Sequence, residues 1–196
     1  MSVRLSLVAL CLAVAACSGA TTSDLTASSS GASGSSGSSG SSGATPSGPD
    51  TPPDVTFGGA AGGCSNVFLY RASADGAQFI TIEADREKLG MKLGQKRTFD
   101  LAQATEGLTV GVDVFARAPS ESQYCTDFRS DHQLPTPWRA EAGTLILELS
   151  ENADANGIYR ASVRLRDVRL VGPNRGTSVI VPKVELEDVR VGWLPG

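Results

Sequence analysis

Apolar alternation with period two, the lack of long helical runs, and recurrent Gly, Pro, Asn and Asp clusters predict an all-β fold. The expected architecture is an antiparallel β-sandwich of about eight strands, with a small closed β-barrel as the alternative. Strands are expected over Asn66–Ser73, Gln78–Ala84, Arg97–Ala102, Leu108–Arg117, Ser122–Asp127, Gly143–Leu149, Ile158–Val171 and Ser178–Trp193. Asp75-Gly76 between the first two marks a hairpin, because both residue types accept the positive φ of a tight turn. Asp85 to Gly90 reads as one helical turn, with Asp85 as N-cap and Gly90 just past the end.

The last third carries the clearest pattern. Val163-Arg164-Leu165-Arg166-Asp167-Val168-Arg169-Leu170 recurs 21 residues later as Val184-Glu185-Leu186-Glu187-Asp188-Val189-Arg190-Val191, with five of eight positions identical. Two copies are too few for a solenoid, so convergence on one strand pattern is the simpler account. Both copies slip by one residue at the Asp: Val163 and Leu165 share a parity, while Val168 and Leu170 share the other. A slip of one exchanges the faces of a strand, so a β-bulge or a bend is expected there. The two strands match if paired residue numbers sum to 349, around a loop Pro173-Asn174-Arg175-Gly176. That register sets Leu170 opposite Val179, Val168 opposite Val181, Leu165 opposite Val184 and Val163 opposite Leu186. It also sets Arg164 against Glu185 on the outer face, and Asp167 against Pro182, which has no N–H for a ladder bond. The expected product is a long bent C-terminal hairpin.

The other end of the chain has the parts of a secretory signal. Arg4 supplies the positive charge, Leu5–Val14 an apolar core of ten residues, and Ala15-Ala16 the small residues before a cut. A membrane-spanning helix needs about 20 apolar residues, and polar residues resume at Ser18. Leu12-Ala13-Val14-Ala15-Ala16-Cys17 resembles the lipobox of bacterial lipoproteins; the alternative is an ordinary signal peptide cut at Ala16. The resemblance covers residues 1–17 only. It implies that Cys17 carries a thioether-linked diacylglycerol and becomes the first mature residue, anchoring the protein to a membrane. In that family Asp after the cysteine retains the protein in the inner membrane, so Ser18 implies the outer membrane of the cell envelope.

Residues 18–63 are almost entirely Ser, Gly, Ala, Thr and Pro, with Gly31, Gly34, Gly37, Gly40 and Gly43 at every third position. No Pro fills the gaps, which excludes collagen. Such a composition buries too little apolar surface to offset ordering entropy, so residues 17–63 are expected to form a disordered tether. Its random-coil span is about 40 Å. A glycosylated Ser/Thr stalk is the alternative. The remainder, residues 64–196, suits one β domain.

With 17 basic and 21 acidic residues the chain carries a net charge of −4. No basic footprint or polybasic run is present, which argues against nucleic acid as a partner. Of the four cysteines, Cys11 leaves with the signal and Cys17 takes lipid, so Cys64 and Cys125 are expected to form a disulfide in an oxidising compartment.

Chemistry-bearing residues are sparse. His132, the one histidine, follows Asp131 in a polar loop; a general base or metal ligand oriented by Asp131 competes with an exposed loop histidine. Two cysteines and one histidine lack zinc spacing, and no cofactor fingerprint or nucleophile elbow is present. Glu151 and Asp154 lie in an Asn- and Gly-containing stretch that lacks the closing Glu of an EF-hand, so a hairpin loop is expected. Trp138, Trp193, Tyr70, Tyr124 and Tyr159 are candidates for stacking on sugar rings, Trp138 foremost, against the alternative of core packing. The expected role is a non-catalytic binding or structural module facing the cell wall, a glycan or another envelope protein, with no cofactor or metal. An enzyme on envelope polysaccharide or peptidoglycan, and an envelope assembly subunit, are the competing classes.

Overall fold

The computed structural model describes residues 52–53, 56–120, 123–126 and 133–192. Among them the chain is all-β, with eight strands and no helix: β1 (Ala61–Cys64), β2 (Phe68–Ala72), β3 (Gln78–Ala84), β4 (Lys96–Asp100), β5 (Leu108–Val114), β6 (Thr136–Leu149), β7 (Tyr159–Val171) and β8 (Ser178–Val191). All pair antiparallel in the order β1-β2-β3-β5-β6-β7-β8, with β4 also on β6. The long strand β6 serves two neighbours along one edge: Val112 of β5 pairs with Trp138, and Phe99 of β4 with Leu145. The sheet is nearly closed, because β1 comes alongside β8 and the Gly192 amide donates to the Ser65 carbonyl at 2.6 Å. This geometry lies between a sandwich and a small barrel.

One apolar core fills the interior. Leu69, Ile80, Ile82, Val112, Leu145, Val163, Leu165, Val168 and Leu170 all have 0% exposure. They come from alternate positions of successive strands, as period two requires. Burying each such side chain contributes about 1.5–3 kcal/mol.

Local signals act as their chemistry dictates. The β2–β3 hairpin turns through Gly76 at φ 72°, and the Asp75 carboxylate accepts from the Ser73 hydroxyl at 2.5 Å and the Ala77 amide at 3.0 Å. In the turn after β3, Asp85 Oδ1 accepts from the amides of Glu87 and Lys88 at 3.0 and 3.2 Å. Met91 N–H reaches the Arg86 carbonyl and Gly90 N–H the Glu87 carbonyl, a Schellman closure with Gly90 at φ 61°.

The β7–β8 hairpin adopts the expected register. Leu170 pairs with Val179, Val168 with Val181, Leu165 with Val184, Arg164 with Glu185 and Val163 with Leu186. Beyond a bulge the register advances by one, so Ala161 pairs with Val189 and Tyr159 with Val191. The Asp of each octapeptide is where the strand slips: Asp167 has φ 51° and Asp188 φ 56°. Asp167 is the extra residue against β6, in the stretch where Thr144 pairs with Arg166 and Ala142 with Arg169. Asp188 is extra against β7, and its amide N–H donates to the Ser162 hydroxyl oxygen at 3.0 Å. Each bulge returns the following apolar residues to the core.

Three expectations are corrected. Order begins before Cys64: β1 lies within the stretch assigned to the tether, Phe57 is buried in the core, and Gly59 N–H donates to the Ala72 carbonyl. Residues 123–125 form bends and Thr126 is irregular, rather than the middle of a strand. Strand β6 starts at Thr136 instead of Gly143, running through register shifts between Ala140 and Thr144.

Candidate ligand-binding surface

Leu69, Ile80, Ile82 and Val112 face the core, so the opposite parity of β1, β2, β3 and β5 faces outward. One row across this outer face runs Gly62–Tyr70–Thr81–Gly111, ending at Arg139 on β6. Two neighbouring rows carry Cys64–Phe68 and Ala72–Phe79–Asp113. The face therefore gathers Phe68, Tyr70 and Phe79, which β2 and β3 bring together from a separation of up to 11 residues.

Tyr124 completes the cluster from the loop after β5. Its ring centroid lies 5.2 Å from Tyr70, 5.3 Å from Phe68 and 5.3 Å from Phe79, the last edge-to-face. Phe115, buried, meets Phe79 edge-to-face at 5.7 Å. These are the separations at which aromatic quadrupoles attract. The Tyr124 hydroxyl donates to Asp113 Oδ2 at 2.6 Å. Next to it, Cys125 bonds to Cys64 with a Cα separation of 5.6 Å, as the cysteine count predicts. Cys125 sits at φ 58°, a conformation a non-glycine residue adopts at a cost. The disulfide therefore fastens the loop, and Tyr124 with it, over the β2–β3 face.

Phe68, Tyr70, Phe79 and Tyr124 are each only partly buried. Two glycines make room for what lies across them. A Cβ on Gly62 would stand 2.5 Å from the Tyr70 hydroxyl oxygen, and one on Gly111 would stand 3.0 Å from an Arg139 guanidinium nitrogen. The result is an aromatic platform bordered by Arg139, Asp113 and Glu83.

A second concavity lies where the sheet nearly closes. It measures about 750 Å³ and is lined by Gly62 and Gly63 on one side and Arg160, Glu187, Asp188 and Arg190 on the other. Arg160 donates to Asp188 Oδ2 at 2.7 Å, so much of its charge is already balanced. The outer faces of β7 and β8 carry further exposed pairs, Arg164–Glu185 at 3.7 Å and Lys183–Glu185 at 3.0 Å. The Lys183 hydrogen bond holds the Glu185 carboxyl below its usual range. Exposed, solvent-screened pairs of this kind contribute little to stability.

The remaining candidates sort as follows. Trp138 is fully buried in the core, packs against Gly172 and, among the described residues, finds no partner for its indole Nε1; it offers no stacking face to a ligand. Tyr159 is buried too; burial pushes its hydroxyl pKa up, nearby Arg86 opposes that shift, and the hydroxyl donates to the Asn66 carbonyl. Asp154 Oδ1 accepts from the amides of Asn156 and Ile158 at 2.8 and 2.9 Å, closing a hairpin loop as expected. Among the described residues no three His, Cys, Asp or Glu side chains converge as a metal site. Cys17, Asp131, His132 and Trp193 lie outside the described residues. Of the aromatics singled out in the sequence, Tyr70 and Tyr124 meet on the platform. Phe68, Phe79 and Phe115 were not anticipated there; the parity of Phe68 and Tyr70 against core-facing Leu69 was the available signal.

No protein-family model, no curated protein and no solved structure matches this chain.

Proposed function

We propose that this chain is a lipid-anchored cell-envelope protein displaying a non-catalytic β module that binds a saccharide-containing envelope polymer. Acylation at Cys17 and outer-membrane placement follow from the lipobox resemblance and Ser18. The Ser/Gly-rich segment then holds the module about 40 Å or less from the bilayer.

The observation that carries the binding reading is the outward aromatic platform of Phe68, Tyr70, Phe79 and Tyr124. Sugar rings present C–H faces that stack on such rings, and the flanking Asp113, Glu83 and Arg139 supply hydrogen-bonding groups. The disulfide supports this reading because it preorganises the one platform ring that comes from a loop.

Two experiments test it. Cys17→Ala should move the protein from the membrane to the soluble fraction; continued membrane partition would sink the anchor. The soluble protein should co-sediment with purified cell-wall sacculi, and the Tyr70→Ala/Tyr124→Ala variant should not.

A further inference from the structure

The seam between β1 and β8 opens onto the aromatic platform. Six antiparallel steps separate the two strands around the sheet, so they run parallel, and no ladder joins them among the described residues. Two hydrogen bonds bracket the gap. Before it, Arg71 Nη1 donates to the Glu185 carbonyl at 2.7 Å; after it, Gly192 N–H donates to the Ser65 carbonyl at 2.6 Å. Between them the concavity of about 750 Å³ stays open, because Gly62 and Gly63 bring no side chains to fill it. Half-buried Val189 forms its floor, and a Cβ on Gly63 would stand 3.0 Å from Val189 Cγ1. Gly62 belongs to this concavity and to the platform row at once, with the Tyr70 phenol lying across it. We infer that the seam concavity is a second subsite of the platform, so that the module grips an extended glycan chain running from Tyr124 over Gly62 to Arg190, and reads its far end by hydrogen bonds to uncharged groups.

The chemistry of the wall gives the reason. The concavity has the size of small-molecule sites, about 300–1,000 Å³, and combines an apolar floor with polar groups at its edge. Asp188 is held by Arg160 at 2.7 Å and Glu187 by Arg164 at 3.8 Å, whereas Arg190, directly across from Arg160, makes neither hydrogen bond nor ion pair among the described residues. Its planar guanidinium offers a fork of donors that suits two neighbouring sugar oxygens. An adjoining hollow shares Arg160 and Arg190 and adds Glu151 and Asp154. Across the two hollows these two arginines face four acids, which disfavours an anionic group at this end. From β3 over β2 and β1 to β8 is three strand spacings, about 15 Å, longer than one sugar ring. A chain that occupies both ends gains affinity because its second contact is intramolecular. The inference rests on the saccharide reading and adds to it the form of the ligand.

The test is calorimetric titration of the full chain carrying Cys17→Ala with glycan oligomers, size-fractionated from a digest of purified sacculi. Affinity should rise with oligomer length and level off once the chain spans both subsites. Glu187→Ala/Arg190→Ala should weaken the longest oligomers roughly tenfold, toward the level of the shortest, as the loss of one or two hydrogen bonds to charged groups implies. Arg166→Ala, on the outer face of β7 away from the seam, should leave the length dependence intact, and the gain with length should persist at raised salt. Equal affinity at every length would overturn the inference, and so would a length dependence that survives Glu187→Ala/Arg190→Ala. A gain that vanishes at high salt would overturn the uncharged contact. Each of these outcomes leaves platform binding in place, whereas a parent protein that binds no oligomer of any length contradicts the saccharide reading itself and this inference with it.

Discussion

Tyr70 lies across β1 directly over Gly62, so close that a methyl group on Gly62 would stand 2.5 Å from the phenolic oxygen. The glycine is thus the floor of the platform at its edge, and an aromatic ring covers the backbone that glycine leaves bare. Gly62→Val should displace the ring and destabilise the fold by about 1–3 kcal/mol, the usual cost of overpacking. Denaturant midpoints measure it. In a Tyr70→Ala background the same change should cost much less, since the two residues are in contact and their effects do not add. Equal costs in both backgrounds would show that the ring does not depend on the glycine.

The paired bulges make a sharper prediction. Asp167 holds a positive φ that only glycine adopts freely. Asp167→Gly should be neutral or slightly stabilising, while Asp167→Val should destabilise by about 1–2 kcal/mol. Asp188 is a less clean test because it also accepts from Arg160. If Gly and Val behave alike at position 167, the bulge does not form in solution.

Trp138 presents a donor that meets no acceptor among the described residues, in a fully buried site. Trp138→Phe removes the orphan N–H while retaining most of the ring, and should cost well below the loss from Trp138→Ala, which is about 3–5 kcal/mol. Thermal unfolding of the two variants side by side is the measurement. Near-equal losses would place a hydrogen-bond partner on the indole.

At low pH the β2–β3 turn should weaken. The Ser73 hydroxyl first, and then the Ala77 amide, hold the Asp75 carboxyl below its ordinary value of 3.8. A carboxyl lowered in the folded state contributes stability that is present above the unfolded value and is lost as pH falls through the folded one. The acid limb of stability against pH should therefore flatten below about pH 4 in Asp75→Asn, which cannot titrate there. An unchanged acid limb would contradict the assignment.

Much of this architecture was legible where side-chain alternation is strong. In the β7–β8 hairpin, Val163, Leu165, Val168 and Leu170 announce both the buried face and the slip at Asp167, so register and bulge follow from parity alone. The edge strand β1 was hidden because Ala61, Gly62 and Gly63 show no apolar alternation; they are small because Tyr70 and Leu69 of the neighbouring strand fill the space beside them. The first half of β6 was hidden because Pro137 reads as a strand breaker and the register shifts at Ala140–Thr144 interrupt the period. Pro137 is accommodated opposite Asp113 near the end of the β5 pairing. The same interruption leaves the sequence unable to decide between stacking and core packing for Trp138, which the structure places in the core. The platform was half legible: Tyr70 and Tyr124 are separated by 54 residues, and only the fold and the disulfide bring them together.

The most direct test of the account is a fluorescence titration of the soluble protein with purified envelope polysaccharide, following the tyrosines of the platform. Saturable quenching is predicted, lost in Tyr124→Ala and in Tyr70→Ala while far-ultraviolet circular dichroism keeps the β signature of the parent. Absence of saturable binding, or binding that survives both substitutions unchanged, would contradict the claim that this aromatic face is where the module meets its ligand.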